Sequence, residues 1–427
     1  MRLRRGAVGA ACAALVACTA PALAAPDAID CAGPAGSAEP GTPAWTQRET
    51  REAYCGEQRV FDTAANPLFQ ASGPQAFAAT DGSSLSMEDP LRDPDTLDGH
   101  RFRYERVSFP DPNGTVLDAR LFRPCDASCT GMPAGLQRFA PAYPAVVIAH
   151  GGSAQQEMYW WGAEALAEAG YMVLTFQVPT EENTGPASFY GDTSAAIDFL
   201  TSTANPHRDE LDATRIGLAG HSAGGAAVSR VGQQDPRVSA IVSWDRAQST
   251  AMPADLVLRT PALFFAADYN CQQVPVCVPQ PYTEAPDPLG PGTKDQDFQR
   301  LRDAGVDTMK VALRSATHLD FTQFGLAGTG SRYGAAVTAY YTLAWFDRYL
   351  RRDTLGADAL HRLTATTFDD SADVHNISAG QFDPVTQANV PAMLAGMPTI
   401  DRLSFRFRSG WFLDGGEVAC DDVRRGC

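Results

Sequence analysis

Residues 216–225 read Ile-Gly-Leu-Ala-Gly-His-Ser-Ala-Gly-Gly, and this stretch decides the fold. The apolar residues at its start predict a buried strand, and the small residues that follow it predict a helix. Between them lies a Gly-x-Ser-x-Gly pattern, which is typical of a sharp strand-to-helix turn that presents a serine hydroxyl at the sheet edge. Glycine is needed two residues before and two after the serine because the turn leaves no room for side chains. The pattern therefore predicts Ser222 as a nucleophile at a helix N-terminus.

Buried-strand patterns alternate with helix patterns on both sides of this turn. An alternating hairpin, residues 102–109 and 116–122, precedes them and predicts antiparallel strands at a sheet edge. Such alternation indicates an α/β protein, with a mainly parallel sheet covered by helices on both faces. Together with the serine turn, this is the α/β-hydrolase arrangement. The predicted strands are 145–149, 171–176, 215–219, 238–243, 262–266 and 308–313, and the predicted helices are 160–169, 192–200, 295–304 and 335–349.

Size and charge narrow the classes of function. The chain has 427 residues, of which 44% are hydrophobic, so it can build one large core with an appendage. Its formal net charge is −16. Because an acidic surface repels phosphate backbones, we expect no nucleic-acid partner.

The N-terminal segment has the pattern of an export signal. A basic start, Arg2 to Arg5, precedes a short apolar run, and Ala22-Leu-Ala24 resembles a cleavage site. We therefore predict a signal peptide over residues 1–24 and a secreted or periplasmic protein. The alternative is a lipobox ending at Cys18, which would give a lipid-anchored envelope protein and the only predicted membrane contact.

Cysteine spacing agrees with an oxidising compartment. Two of the ten cysteines lie in the signal segment, and the other eight predict disulfides as close pairs. Cys125 and Cys129 have no histidine or second cysteine pair nearby, so zinc is disfavoured and no cofactor is predicted. The four pairs are Cys31/Cys55, Cys125/Cys129, Cys271/Cys277 and Cys420/Cys427.

The chain divides into four parts. After the signal, residues 25–100 are rich in Pro, Gly, Ala and Ser and predict an irregular wrap. Residues 101–355 form the predicted catalytic domain, interrupted by a Pro-rich insertion at 270–292 that we expect to shape the substrate site. Residues 356–427 form a less regular C-terminal extension, with one or two strands over 403–412.

A serine nucleophile requires a histidine base and a carboxylate that orients it, and in this fold they follow the serine in the order acid, then base. His318 stands directly after the strand at 308–313, whereas the other two later histidines lie in the tail. Two acids qualify, because Asp245 and Asp268 each follow a predicted strand. The residues alone leave this choice open.

The remaining site residues surround the turn. An oxyanion hole needs two backbone N–H groups, and we expect these from Ala223 and from Gly152. His150, which begins the loop containing Gly152, is expected to have a structural role. Candidate substrate-binding residues are Ser153, Tyr159, Trp160 and Trp244, although the aromatic ones could equally be core residues.

Residues 146–324 resemble the platelet-activating-factor acetylhydrolase type of serine esterase, near the dienelactone hydrolases and cutinase-like polyester hydrolases. Four segments carry the likeness: 147–152 (Val-Ile-Ala-His-Gly-Gly), 220–225 (Gly-His-Ser-Ala-Gly-Gly), 235–245 and 315–324. The resemblance implies that Asp245 is the catalytic acid and that the segment 263–269 carries a non-catalytic one. Cutinase-like enzymes place their acid after the later strand, where the match falls nearer Asn270 than Asp268.

These observations predict an exported carboxylic ester hydrolase that forms an acyl-enzyme on Ser222. Its substrate would be a small or polymeric ester. The alternatives are a polyester hydrolase, a lactonase or peptidase with the same triad, or a binding protein on a hydrolase scaffold.

Overall fold

The computed structural model describes residues 102–124, 142–152, 154–179, 186–246, 252–269, 295–322, 334–351, 354–370, 382–383, 388–389, 394–404, 407–423 and 426–427. The predicted signal segment (1–24), N-terminal wrap (25–100) and insertion (270–292) lie outside the described residues, so they stay predictions.

Strands account for most of the fold that positions the site. In chain order they are β1 Phe102–Pro110, β2 Val116–Pro124, β3 Tyr143–Ala149, β4 Met172–Phe176, β5 Leu211–His221, β6 Val238–Trp244, β7 Ala262–Tyr269, β8 Thr308–Thr317, β9 Phe382–Asp383, β10 Ala388–Asn389, β11 Gly410–Leu413 and β12 Val418–Cys420. Within the described ranges, ten of them form one sheet in the order β1-β2-β4-β3-β5-β6-β7-β8-β11-β12, and β9 pairs with β10.

The middle of the sheet is parallel and its two edges are antiparallel. Strands β4, β3, β5, β6, β7 and β8 pair in parallel. The hairpin β1–β2 adds to β4 at one edge, as predicted. Its turn is closed by Asp111, whose carboxylate accepts the backbone N–H groups of Asn113 and Thr115 at 2.8 and 2.7 Å. The carboxyl ends of the parallel strands therefore share one edge, where β5, β6 and β8 deliver the site residues.

Helices cover both faces of this sheet. They are α1 Trp160–Glu168, α2 Pro186–Thr201, α3 Ser222–Gln234, α4 Gln296–Asp303, α5 Gly334–Leu350 and α6 Thr354–Thr364. Buried residues of α1, α5 and α6 form a core on one face, and those of α2, α3 and α4 form a core on the other. This is the α/β-hydrolase fold, which confirms the prediction. No helix in the described part of the chain is long and apolar enough to cross a membrane.

The C-terminal segment is more regular than the sequence suggested. Helix α6 was not predicted, although Ala359 and Leu363 lie one helical turn apart and are both buried in the core. Strand β11 continues the sheet beyond β8, with Gly410 opposite Lys310, and β12 follows it. Cys420 and Cys427 lie within disulfide-bonding distance, with their Cα atoms 5.0 Å apart. The other three predicted cysteine pairs lie outside the described residues.

Candidate active site

Ser222 lies at the junction of β5 and α3 in a strained conformation. Its φ angle is 53°, in the left-handed region that non-glycine residues rarely adopt. A Cβ atom at Gly220 would lie 2.6 Å from the carbonyl oxygen of Gly224. A Cβ atom at Gly224 would lie 2.3 Å from the carbonyl oxygens of both Ala149 and His150. The two glycines therefore allow the turn to close against the end of β3, with Ser222 partly exposed at the first position of α3.

His318 and Asp245 form a buried pair at the same edge of the sheet. His318 opens a short 3₁₀ turn directly after β8, and Asp245 follows β6. The Nδ1 atom of His318 lies 2.8 Å from Oδ2 of Asp245, and the two residues are 7% and 1% exposed. Because an ionised carboxylate only accepts hydrogen bonds, Nδ1 carries the proton and Nε2 keeps its lone pair for another group.

Asp245 is held by a backbone contact with β7 and by the ion pair of the residue that follows it. Its φ angle is 36°, so Asp245 is the second non-glycine residue at this site with a strained backbone. The N–H group of Ala267 in β7 donates to its Oδ1 atom at 3.2 Å. The next residue, Arg246, forms an ion pair with the buried Asp297 of α4. These contacts fix the loop after β6 where the carboxylate reaches His318.

The choice of triad acid follows from this geometry. The single proton on Nδ1 of His318 serves one strong hydrogen bond, and Asp245 accepts it. Asp268 belongs to β7, and its side chain lies outside the described residues. The contact therefore favours Asp245, in line with the acetylhydrolase resemblance and unlike the cutinase-like position after β7.

Gly152 and Ala223, the two candidate oxyanion donors, are close to each other. A Cβ atom at Gly152 would lie 3.6 Å from that of Ala223. Ala223 is the second residue of α3, where backbone N–H groups have no partner within the helix. The carbonyl oxygen of Gly151 accepts a hydrogen bond from Nδ1 of His150 at 2.7 Å. Because a trans peptide directs C=O and N–H to opposite sides, this bond turns the N–H of the exposed Gly152 away from His150.

His150 has a structural role in holding this loop. Its Nε2 atom accepts the backbone N–H of Val178 at 2.9 Å, while Nδ1 donates to Gly151. Burial lowers the pKa of His150 to about 4, so the ring is neutral near pH 7. Both ring nitrogens are thus used within the protein, and His150 is unsuited to act as a base. Ser153, a candidate substrate-binding residue in the same loop, lies outside the described residues.

Tyr159, Trp160 and Trp244 are buried core residues, which fits the core alternative and corrects the prediction that they contact substrate. Trp160 is 3% exposed and packs against Tyr104 and Phe122. Trp244 is fully buried, its ring centroid lies 5.1 Å from that of Trp161 in a tilted arrangement, and its Nε1 donates to a threonine of α5 at 3.1 Å. The two indole rings pack in the core beside α1 and the sheet. They are too buried to contact a substrate at the surface.

Two residues of the segment 156–168 support the site in ways that the sequence did not reveal. The Tyr159 side chain is buried, and its hydroxyl contacts both Gly151 and His221. Trp161 donates from Nε1 to the carbonyl oxygen of Phe321 at 3.2 Å, at the end of the turn that begins with His318. The contacts with His221 and Phe321 join residues 62 and 160 positions apart in the chain. No local pattern could have identified them.

The described residues contain no group of three or more His, Cys, Asp or Glu side chains placed to hold a metal ion. What the site does contain is a strained serine at a helix N-terminus, a histidine–carboxylate pair and two adjacent backbone donors. These parts can activate a hydroxyl nucleophile and stabilise an oxyanion.

Several known proteins are similar to part of this chain. The family model described as PETase, PET hydrolase-like, matches residues 137–283. Cutinase est1 of Thermobifida alba is 25% identical over 213 residues, covering 50% of this chain and 62% of its own. The bis(hydroxyethyl) terephthalate hydrolase of Streptomyces coelicolor is 26% identical over 215 residues, covering 50% of this chain and 59% of its own. These similarities confirm the resemblance to cutinase-like polyester hydrolases.

One similar protein has a solved structure. A ferulic acid esterase from Streptomyces cinnamoneus covers 60% of this chain and 92% of its own, with a TM-score of 0.45 and 18% identity. The chain spans about three-fifths of the length of the two curated relatives above, at 62% and 59%. The family-model match includes Ser222 and Asp245 and ends before His318.

Proposed function

We propose that this protein is a serine carboxyl-ester hydrolase that forms an acyl-enzyme on Ser222. The observation that carries the proposal is the 2.8 Å contact between His318 Nδ1 and Asp245 Oδ2, at the sheet edge where Ser222 is held at a φ angle of 53°. Similarity to a cutinase and to a bis(hydroxyethyl) terephthalate hydrolase supports an ester as the substrate class.

The proposed reaction has two halves. Ser222 Oγ attacks the ester carbonyl carbon while His318 Nε2 takes the hydroxyl proton, and Asp245 stabilises the resulting imidazolium. The N–H groups of Gly152 and Ala223 bind the oxyanion. Collapse of the tetrahedral intermediate breaks the bond to the alcohol, which leaves with the proton from His318. A water molecule, deprotonated by His318, then attacks the acyl-enzyme and releases the carboxylic acid.

The test is hydrolysis of p-nitrophenyl esters from acetate to palmitate. We expect the wild type to hydrolyse part of this series, and Ser222→Ala, His318→Gln and Asp245→Asn each to lower kcat by about 10⁴-fold or more. Asp268→Asn is the matched control and keeps its activity. An inactive Asp268→Asn variant together with an active Asp245→Asn variant would overturn the proposed triad. A wild type that hydrolyses no ester would favour a binding protein, lactonase or peptidase.

A polyester is the second candidate substrate, favoured by the family-model match over residues 137–283. The test is release of soluble products from a polyester film by the wild type and by Ser222→Ala. Activity on p-nitrophenyl esters without release from the film would limit the substrate to small esters.

Export is a separate part of the proposal and rests on the sequence pattern of residues 1–24. Mass spectrometry of the protein from a bacterial host tests it. A chain that begins at Ala25 supports a secreted or periplasmic protein, a diacylated Cys18 supports an envelope lipoprotein, and an intact leader contradicts export.

A further inference from the structure

Tyr159 links two parts of the site through one buried hydroxyl. The hydroxyl oxygen accepts the backbone N–H of Gly151 at 3.0 Å and lies 2.7 Å from Nδ1 of His221. We assign the hydroxyl proton to His221 Nδ1, because the N–H of Gly151 cannot accept it and these two groups are the hydrogen-bond partners of the hydroxyl in the described part of the chain. The residue is 1% exposed, and burial raises the pKa of the Tyr159 hydroxyl, so it stays protonated and acts as this donor.

The first consequence concerns the oxyanion loop. The N–H of Gly151 points at Tyr159, so among the neighbouring amides it is the N–H of Gly152 that remains for substrate. The space around Gly151 is tightly closed: a Cβ atom there would lie 2.8 Å from the Tyr159 hydroxyl, 3.0 Å from His221 Nδ1 and 3.3 Å from the Ser222 Cβ. Tyr159 therefore fixes the loop against the serine turn.

The second consequence concerns His221, the residue before the nucleophile. Accepting a proton at Nδ1 from the Tyr159 hydroxyl places the proton of the neutral ring on Nε2. The ring of His221 lies 4.4 Å from that of His318, centroid to centroid, and stacks on Phe321 at 5.8 Å on the turn that begins with His318. The neutral ring of His221 thus packs directly against the ring of His318, the proposed base.

The charge of His221 matters because His318 becomes a cation during the proposed reaction. A second cation at 4.4 Å would oppose that step, whereas a neutral ring does not. Tyr159 itself is held rigidly: its ring lies nearly parallel to that of Trp244, at 6° and 6.4 Å, and Trp244 immediately precedes Asp245. The same tyrosine therefore contacts elements that carry the oxyanion donor, the nucleophile and the acid.

We propose that Tyr159 and His221 are positioning residues of the ester-hydrolysis site, with the Tyr159 hydroxyl holding both the oxyanion loop at Gly151 and His221 as a neutral support for His318. This inference rests on the proposed function. It assigns to the pair no contact with substrate. The pair acts through Gly152 and His318, so its loss should affect kcat more than KM.

The experiment compares Tyr159→Phe with the wild type on a soluble p-nitrophenyl ester. Active sites are counted by titration with a fluorophosphonate, which separates turnover per site from the amount of folded protein. We expect kcat per site to fall about 10- to 100-fold, with KM within about twofold. The matched control is Tyr340→Phe, which removes another buried hydroxyl, one that donates to the Arg362 carbonyl oxygen at 3.2 Å, and keeps the wild-type kcat.

Variants of His221 test the hydrogen bond directly. His221→Asn keeps an oxygen acceptor near the position of Nδ1, whereas His221→Leu removes it, so we expect the Asn variant to retain several-fold more activity. Because the two variants share the Tyr159–His221 hydrogen bond while Tyr159 also holds Gly151, adding Tyr159→Phe to His221→Leu should lower kcat further, but by less than Tyr159→Phe lowers it in the wild type.

Three results would overturn the inference while the proposed function stands. They are a Tyr159→Phe enzyme with wild-type kcat per titrated site, a His221→Asn variant no better than His221→Leu, and additive losses in the double variant. A wild type that neither hydrolyses esters nor reacts with the fluorophosphonate would overturn both proposals.

Discussion

The imidazole of His150 holds the carbonyl oxygen of Gly151 at 2.7 Å, and through that peptide it sets the direction of the next N–H group. The opposite ring nitrogen is fixed by the amide of Val178 at 2.9 Å. A histidine that begins a glycine loop near a serine nucleophile is easily mistaken for its base. Its hydrogen bonds show that it orients the backbone instead.

The first prediction concerns this orientation. His150→Leu removes the donor to Gly151, so the Gly152 N–H is no longer directed at the oxyanion. We expect kcat on a p-nitrophenyl ester to fall about 100-fold, the usual effect of losing one oxyanion donor, with a smaller change in KM. Turnover per titrated active site measures this, and an unchanged kcat would contradict the assigned role.

The second prediction is the pH dependence of stability that His150 contributes. Its pKa is about 4 in the folded protein, below the ordinary value near 6.5, so between these values the unfolded chain binds more protons. The contribution of neutral, buried His150 to the free energy of unfolding is therefore fully present above pH 6.5 and is lost as the pH falls towards 4. We expect roughly 2 kcal/mol of this loss between pH 7 and 4.5.

Urea unfolding at several pH values measures that contribution. The stability of His150→Leu should change less between pH 7 and 4.5 than that of the wild type. His361→Gln, at an exposed position on α6, is the matched control and should follow the wild type. If the free energy of unfolding changes with pH by the same amount in the wild type and in His150→Leu, His150 is not the titrating group.

The third prediction concerns the serine turn. The Cβ atom of Gly224→Ala would lie 2.3 Å from two backbone oxygens that cannot move without displacing β3. We expect a loss of roughly 3 kcal/mol or more in the free energy of unfolding, together with loss of activity. Gly114→Ala is the control: its φ is +88° but nothing lies within 4 Å, so it should lose only about 1 kcal/mol and keep kcat. An active, stable Gly224→Ala enzyme would refute the turn geometry.

The fourth prediction concerns how the C-terminal segment is attached. Asp295, 3% exposed, pairs with the buried Lys310 of β8 and with Arg408, just before β11. Asp295→Asn removes the carboxylate that both cations share, and we expect it to destabilise the protein by about 3–5 kcal/mol. The control is Asp421→Asn, which breaks an ion pair with Arg302 whose side chains are 59% and 30% exposed, and should cost under about 1 kcal/mol. Equal losses in urea unfolding would contradict this account.

The sequence predicted those parts of the site that local patterns encode. Ser222 follows from glycine spacing, and His318 follows from its place directly after a strand. The residue patterns could not choose between Asp245 and Asp268, because each follows a predicted strand, and the contact of Asp245 with His318 joins residues 73 positions apart. The contact of Tyr159 with His221 joins residues 62 positions apart, and no periodicity encodes such a pair.

The direction of the aromatic side chains and the structure of the C-terminal segment were also beyond what the sequence pattern could predict. Trp160 and Trp244 sit near the site in sequence, yet their rings point into the core, and sequence position does not fix that direction. Helix α6 has the spacing of an amphipathic helix in Ala359 and Leu363, so its pattern was present but weak. The antiparallel addition of β11 to β8 depends on pairing across about 100 residues, as between Gly410 and Lys310.

The central claim is that Ser222 is the nucleophile, and covalent labelling tests it most directly. The wild type and Ser222→Ala are incubated with a fluorophosphonate, digested and analysed by mass spectrometry. We expect one phosphonyl group on the peptide that contains Ser222, formed in parallel with loss of ester hydrolysis, and no adduct on Ser222→Ala. Inactivation with the label on another residue, or undiminished ester hydrolysis by Ser222→Ala, would contradict it.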